Sequence, residues 1–258
     1  MCIESRITNH DSRLLRPPCL ESRIFTAAVA DSYFGDHRAR RAAPGPRDDG
    51  VDQLGATLDH GFHRAVAAVA HPAGDAQFAR QALKEAETSL GPDHRTTESS
   101  LSTLSLALRL GGRPDEALPI AQRLVVVRTK QYGPEDPATA IALHNNAEIL
   151  IAQGQFAEAA TLEGRALAVF QKKLGANHFN TAAALHNMGA ILLKQEKYKE
   201  AENYLRRALA AKEKSLKPGH LSLAHTLDNL STALDAQGRQ IEAEKYKRRA
   251  DGIRKKAG

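Results

Sequence analysis

The chain of 258 residues is 42% apolar, and its 36 Lys and Arg against 30 Asp and Glu give a formal net charge of +6. No apolar run approaches the about 18–20 residues of a membrane helix, so the sequence predicts no membrane span. Both cysteines, Cys2 and Cys19, lie near the start, which excludes a disulfide framework for the remainder of the chain.

Residues 1–50 show neither strand nor helix periodicity and carry many Arg, Pro and Gly, as in RARRAAPGPRDDG at 38–50. This composition predicts a disordered or weakly ordered segment. Charged residues such as Glu4 and Asp11 interrupt any signal-peptide or transit-peptide pattern. We therefore expect a cytoplasmic protein.

Residues 51–89 are rich in Ala and have a helical pattern. Phe78 stands 42 residues before Ile120, and Leu83 stands 42 residues before Val125. The same period governs the rest of the chain, but here it is faint. We expect a degenerate repeat or an N-terminal cap, because the terminal units of repeat proteins are commonly atypical.

Residues 90–258 contain four copies of one 42-residue unit. Leucines and alanines recur at this spacing, as in the sets Leu101, Leu143, Leu185, Leu227 and Ala117, Ala159, Ala201, Ala243. A fixed period of this length indicates a solenoid, in which each unit buries its apolar face only by stacking on its neighbours.

Each unit contains two helical patterns, which we name helix A and helix B. In the third unit, helix A is predicted at about Asn180–Lys194 and helix B at about Lys199–Ser215. The turn between them has Gly in three units and Glu196 in the third unit. Gly suits that place because it adopts a left-handed backbone without cost.

Small residues are predicted where the two helices of a unit meet. Helix A offers one small residue in each unit, and helix B offers an alanine opposite it. Such pairs allow helices to approach at the short end of the about 8–10 Å interaxial range. The pairs are Ser105 with Ala117, Ala147 with Ala159, Gly189 with Ala201, and Ser231 with Ala243.

The order of small residue, Leu, aromatic, Ala and Ala-Leu resembles the tetratricopeptide repeat. The segment LHNMGAILLKQEKYKEAENYLRRALAAKEKSL at 185–216 is similar to the kinesin light chain subclass, whose repeats are 42 residues long. The resemblance implies an all-α, right-handed superhelical solenoid of antiparallel helix pairs over residues 90–258. It also implies a protein-interaction scaffold with a concave groove.

Asparagine recurs in the middle of helix A at Asn145, Asn187 and Asn229. Asn has a low helix propensity. Its amide can donate hydrogen bonds to the backbone of a bound peptide and accept hydrogen bonds from it. The resemblance places these residues on the concave groove, where they would hold a peptide. The alternative is that each Asn bonds to a neighbouring helix of the stack.

Other helix A residues share this predicted groove. The resemblance implies a mixed surface of polar anchors and apolar pockets, made of His144, His186, Asp228, Glu148, Ile151 and Leu193. The two histidines also suggest a metal. However, equivalent residues of adjacent units lie too far apart to share one ion, and no Cys joins them. We expect no metal and no cofactor.

Helix B contains two series of basic residues that recur from unit to unit. The lysines Lys130, Lys172, Lys214 and Lys256 stand near its end, where cations complement the helix dipole. The arginines are Arg123, Arg165, Arg207 and Arg249. They either pair with neighbouring acids, remain solvated, or form a positive strip for acidic segments or phosphate.

Three turns between units contain His94, His178 or His220, and the fourth has Asp136 at that position. They lie one per turn and so cannot form a common site. We interpret them as caps of the following helix.

No phosphate loop, zinc motif or nucleophile elbow occurs in the chain, and we expect no enzymatic activity. The leading hypothesis is a scaffold that binds a protein or peptide partner, which the net charge suggests is acidic. Polyanion binding through the basic series is an alternative, although the scarcity of aromatic residues argues against nucleic acid. A self-associating adaptor is another, and the sequence leaves the oligomeric state open.

Overall fold

The computed structural model describes residues 72–257, and it describes their side chains over 76–256. The expectations for residues 1–50 and for the first part of 51–89 lie outside the described residues. Within them the helices are α1 (Pro72–Leu90), α2 (Arg95–Leu110), α3 (Pro114–Tyr132), α4 (Pro137–Ala152), α5 (Phe156–Lys173), α6 (Phe179–Lys194), α7 (Tyr198–Ser215), α8 (Leu221–Asp235) and α9 (Gln240–Ala257).

The helices follow the predicted 42-residue period. Helices A are α2, α4, α6 and α8, and helices B are α3, α5, α7 and α9. In the third unit α6 and α7 each begin one residue before the predicted start and end where predicted. Helix α1 begins and ends 42 residues before α3, so it stands in the register of a helix B.

Every helix A begins with a side chain that caps it. His94 Nδ1, His178 Nδ1 and His220 Nδ1 each accept a hydrogen bond from the backbone N–H two residues on. Asp136 does the same in the second unit, at 2.7 Å from the nitrogen of Ala138. An unpaired N–H group of the first turn is thereby satisfied. The predicted capping role of these residues is confirmed.

The turns between helix A and helix B have one left-handed residue each. Gly112, Gly154 and Gly238 have φ between 70° and 77°. Glu196 occupies the same position in the third unit with φ of 60°. It is the one non-glycine residue with positive φ in the part of the chain that the structure describes. The Cβ atom makes this conformation unfavourable by about 1–2 kcal/mol.

The close contact between helices of one unit is present as predicted. A Cβ atom added to Gly189 would lie 2.5 Å from Cγ of Leu205 and 3.4 Å from the carbonyl oxygen of Ala201. In the fourth unit, the hydroxyl of Ser231 donates to the carbonyl oxygen of Ala243 at 2.8 Å. Helix A and helix B thus touch through backbone and small side chains, with leucines and alanines buried on both sides.

The stack has two layers that are joined differently. Helices A of successive units contact one another, whereas long ion pairs join helices B of successive units, as between Arg249 and Glu213 at 2.6 Å. The A layer is therefore the more closely packed of the two. We call the partly exposed face of the A layer that carries the candidate residues the groove surface.

Replacing Gly189 with Ala should destabilise the protein. Alanine improves helix propensity by about 1 kcal/mol, but its Cβ would clash with the fully buried Leu205, and overpacking costs about 1–3 kcal/mol. We expect the free energy of unfolding to fall by about 1–2 kcal/mol in urea titrations. The matched control is Gly164→Ala in α5, where no atom lies within 4 Å and a gain is expected. A gain at both positions would contradict the close contact.

Replacing Glu196 with Gly should stabilise the protein by about 0.5–1 kcal/mol, because Gly adopts positive φ without steric cost. The measurement is the midpoint of thermal or urea unfolding. The neighbouring substitution Gln195→Gly is the control, since Gln195 has φ of −90° and gains nothing from glycine. Equal effects of the two substitutions would show that the turn is not strained.

Candidate functional site

The nine residues predicted for the groove lie on helices A of the second to fourth units, and all are partly buried. On α4 they are His144, Asn145, Glu148 and Ile151, on α6 His186, Asn187 and Leu193, and on α8 Asp228 and Asn229. Each is neither fully buried nor fully exposed.

A buried charge network lies between the first and second units. His144 Nδ1 is 2.7 Å from a carboxylate oxygen of Glu163 in α5. His144 Nε2 is 3.8 Å from Glu148, and Glu148 is 3.2 Å from a guanidinium nitrogen of Arg109 in α2. We call Arg109, His144, Glu148 and Glu163 the charge network. It joins helices of the first two units.

The network holds His144 in its protonated form. Burial would lower the pKa of His144, but the Glu163 and Glu148 carboxylates beside it raise that pKa to about 9. Burial also raises the pKa of Glu148, but Arg109 and His144 outweigh this and hold it below its usual range. For Glu163 burial prevails, and its pKa is raised. Two cations therefore face two acids, and the cluster has little net charge.

The three asparagines differ in their surroundings. The amide of Asn187 lies beside Glu148 and Glu163 and lowers the pKa of both carboxylates, although its nitrogen completes no hydrogen bond of good geometry. Asn145 and Asn229 make no side-chain hydrogen bond to the described residues. Asn187 thus has the internal contact that the alternative hypothesis expects, whereas Asn145 and Asn229 leave their amides available to a ligand.

The other polar groove positions have internal partners. His186 Nδ1 lies 3.1 Å from the hydroxyl of Thr226 in α8. Asp228 accepts hydrogen bonds from the guanidinium of Arg254 in α9, which also lies 3.3 Å from Asp251. These contacts tie both side chains to the stack, so neither is a freely rotating anchor.

Apolar groove residues stand next to these polar groups. Ile151 packs at the edge of a buried cluster that contains Leu150 and Ile191. Leu193 packs against the cluster of the third and fourth units. Both retain accessible surface, so helices A offer apolar contact as well as amide groups.

The four arginines of helix B do not form a continuous positive strip. Arg123 pairs with Glu87, and Arg249 pairs with Glu213 at 2.6 Å. Arg207 lies over the ring of Tyr204, with its guanidinium carbon 5.5 Å from the ring centre. Arg165 is exposed. Two of the four charges are thus neutralised by the preceding unit.

Two lysines near the end of helix B pair with the turn that precedes helix A of their own unit. Lys130 pairs with Asp93, and Lys172 lies 2.7 Å from Glu135, each acid being in the turn before the preceding helix A. These ion pairs give the two lysines a second interaction, in addition to the predicted one with the helix dipole. Both pairs are well exposed, so each contributes little stability.

Sequence reasoning missed the residues that carry the buried charge. Glu163 is fully buried at a position that holds Ala121 and Leu205 in neighbouring units. Lys212 is buried at a position that holds Arg128, Phe170 and Arg254 elsewhere. Comparison of the repeats position by position would have flagged both, because each replaces a residue that the neighbouring units pack or pair.

The part of the chain that the structure describes offers no group of three metal-binding side chains. Over the same residues no helix is both long enough and apolar enough to cross a membrane.

An array of antiparallel helix pairs at a constant 42-residue offset defines an all-α repeat solenoid. The model of the tetratricopeptide repeat family matches residues 100–172, 138–214 and 180–256, which together span more than half of the chain. The chain belongs to the tetratricopeptide repeat family. No curated protein sequence matches it closely enough to count as a relative.

Solved structures with the same fold include kinesin light chain-like proteins. BtubC (BKLC) from P. vanneervenii is similar with a TM-score of 0.69 and 22% identity, over 93% of each chain. A putative kinesin light chain of P. anserina has a TM-score of 0.65 and 21% identity, over 82% of this chain and 99% of its own. RapI in its apo form has a TM-score of 0.56 and 15% identity, over 90% and 92%. The predicted kinesin light chain-like repeat fold is confirmed.

Replacing Glu163 with Gln should lower the pKa of His144 by two units or more, because the closest carboxylate is removed while burial remains. Histidine NMR titration measures this pKa directly. Glu158→Gln, which changes an exposed acid on the same helix, is the control. A His144 pKa near 9 in both variants would show that Glu163 is not its partner.

The same substitution gives a pH-dependent change in stability. The folded-state pKa of His144 lies above 6.5, so its stabilising contribution is complete below pH 6.5 and is lost as the pH rises through 9. The difference in unfolding free energy between wild type and Glu163→Gln should therefore shrink over this range, by on the order of 3 kcal/mol.

Proposed function

We propose that the protein is a non-enzymatic interaction scaffold that receives a peptide or a partner helix on the groove surface. The single observation that carries this proposal is the row of partly exposed helix A residues, in which the amides of Asn145 and Asn229 have no partner among the described residues. An amide held at a fixed place on a rigid helix can bond to the backbone of an extended ligand whatever its sequence.

The surroundings of these amides support a peptide ligand. Ile151 of α4 and Leu193 of α6 provide partly exposed apolar surface on helices A. The charge network next to Asn145 has balanced charges and joins the first two units, so it holds this part of the groove surface in one conformation. Rigid sites cost less conformational entropy on binding.

The chemistry of the described groove supports binding rather than catalysis. Each acid or base of the network is held by an opposite charge, and none stands beside a nucleophile. We further propose a cytoplasmic location, since the repeats contain no cysteine, and a partner with acidic segments, since the chain carries a net charge of +6. No cofactor is needed for this function.

Polyanion binding through helix B receives less support. Arg123 and Arg249 are paired with acids of the preceding unit. Among the described residues, no observation favours self-association over binding of a different protein.

Affinity capture at physiological salt followed by mass spectrometry tests the groove. The bait proteins are wild type, the Asn145→Ala/Asn187→Ala/Asn229→Ala variant, and an Arg165→Ala/Arg207→Ala variant that changes only exposed helix B. We expect a specific partner to bind wild type and the helix B variant and to lose at least tenfold in affinity for the asparagine variant, since three polar contacts are removed.

A double variant separates binding from folding. Asn145→Ala/Asn229→Ala leaves Asn187 beside the charge network and should keep wild-type thermal stability while losing most of the affinity. Identical capture by wild type and both asparagine variants would reject the groove. Loss of capture by the helix B variant alone would move the site to the other layer.

A further inference from the structure

One pair of positions is repeated in every unit and joins helix A to helix B. The helix B residue lies 26 positions after the helix A residue. The four pairs are Ser102 with Arg128, His144 with Phe170, His186 with Lys212, and Asp228 with Arg254. Equivalent places in a solenoid have similar surroundings, so these pairs can be compared directly.

Three of the units balance the charge at this place. Arg128 is buried and lies 2.7 Å from the buried carboxylate of Glu98. Arg254 pairs with Asp228. Phe170 is uncharged and meets His144 edge-on, with ring centres 6.3 Å apart. Burying a charge is costly, and proteins offset this cost with a carboxylate partner or avoid it by placing an apolar residue there.

The third unit differs, because two basic groups meet there without an acid. Lys212 is 3% exposed, and its Nζ lies 2.9 Å from Thr226 Oγ1 and 3.3 Å from the carbonyl oxygen of Ser222. His186 Nδ1 lies 3.1 Å from the same hydroxyl. Within the described chain no Asp or Glu forms an ion pair with Lys212 or His186. Helices α6, α7 and α8 thus meet at one threonine between two bases.

The other titratable groups around this point are also basic or are paired elsewhere. Helix α8 adds His225, whose charge acts on His186, and His220, which caps the helix. Asp228 of α8 is held by Arg254 of α9. Glu213 of α7 is held by Arg249 of α9. Over residues 76–256, no carboxylate is therefore paired with Lys212 or His186 to offset added protons.

We propose that the contact of α6 and α7 with α8, centred on His186, Lys212 and Thr226, is a proton-sensitive joint between the third and fourth units. Protonation adds like charges to a buried site that holds no acid, and separation of α8 exposes them to water. The groove surface opens at this joint as the pH falls.

The other layer keeps the units connected while the joint opens. Glu202 of α7 lies 2.8 Å from Arg239 in the turn before α9, and Arg206 donates to the hydroxyl of Tyr246 at 2.9 Å. Burial raises the pKa of Glu202, but Arg206 and Arg239 lower it overall, so this pair remains ionised at mildly acidic pH. The fourth unit therefore turns about the B layer, as a hinge.

The direction of the effect follows from the basic groups. Burial, aided by Lys212 and His225, lowers the pKa of His186 well below 6.5, so stability is lost as the pH falls below 6.5. Burial lowers the pKa of Lys212 to about 7, so its contribution is lost as the pH falls from about 10.5 to 7. Mild acid thus acts mainly through His186.

Hydrogen exchange of the full chain tests the joint. Protection of α8 is compared with that of α4, also a helix A, at pH 7.5 and 5.5, after correction for intrinsic exchange rates. One pH unit below 6.5 changes the opening equilibrium about tenfold for one histidine. We expect the protection factors of α8 to fall about tenfold or more relative to those of α4 between pH 7.5 and 5.5. Equal losses in both helices, or no loss in α8, would overturn the proposal.

Variants assign the effect to the named groups. His186→Asn keeps an acceptor near Thr226 but cannot be protonated, and Lys212→Met keeps an apolar stem without the charge. In the double variant the extra loss in α8 should disappear. The control His178→Asn removes a histidine outside the joint and keeps a capping side chain, so it should behave as wild type. If the double variant still loses protection in α8 at pH 5.5, the proposal is overturned. If that variant does not fold, the comparison of α8 with α4 in the wild-type protein decides the proposal.

Discussion

The contact between helix A and helix B of one unit is the constraint on which the other features depend. At Gly189 the two helices are so close that a single methyl group would overlap Leu205. Close approach fixes the angle and the offset of the pair, and the 42-residue repeat then reproduces that geometry along the chain. Because each pair has the same shape, the same side of every helix A points to the same surface.

The two layers of the stack then acquire different chemistry. Helices A of neighbouring units touch, so their shared face holds small, apolar and amide side chains. Helices B are farther apart, and long charged side chains span the gap, as Arg249 does to Glu213. Exposed ion pairs contribute little stability, but they neutralise positive charges that would otherwise be available to bind a polyanion. The groove surface is left as the face with unused hydrogen-bonding groups.

Local features of the fold could be predicted from the sequence, because they depend on residues close in the chain. The bounds of α6 and α7, the capping histidines and the unusual turn residue Glu196 all follow from spacing and turn chemistry. The repeat predicts that the asparagines share one face, and their place in a groove stays a prediction from the family resemblance. What a periodic pattern reports is which face a residue shares, and that was sufficient for these features.

Contacts between side chains of different units could not be predicted in the same way. His144 was placed in the groove, but its partner Glu163 stands where an apolar residue is expected, and Asn187 reaches both from the next unit. No role is predicted for Lys212 from the sequence. Which long side chain meets which partner depends on rotamers and on burial, and neither is encoded in the period. The departures from the repeat therefore carry the information that distinguishes one unit from another.

These departures divide the groove into two electrostatic regions. Around the second unit, burial of two acids is offset by His144 and Arg109, and the side chains there are fixed across three units. Around the third unit, burial of Lys212 and His186 is offset by neutral hydroxyl and carbonyl groups alone. Buried groups of one sign without a counter-charge lower stability, whereas a balanced cluster specifies one arrangement. A repeat array built from nearly equal units can in this way have a rigid middle and a more easily opened end, since the difference lies in a few buried side chains and not in the helices themselves.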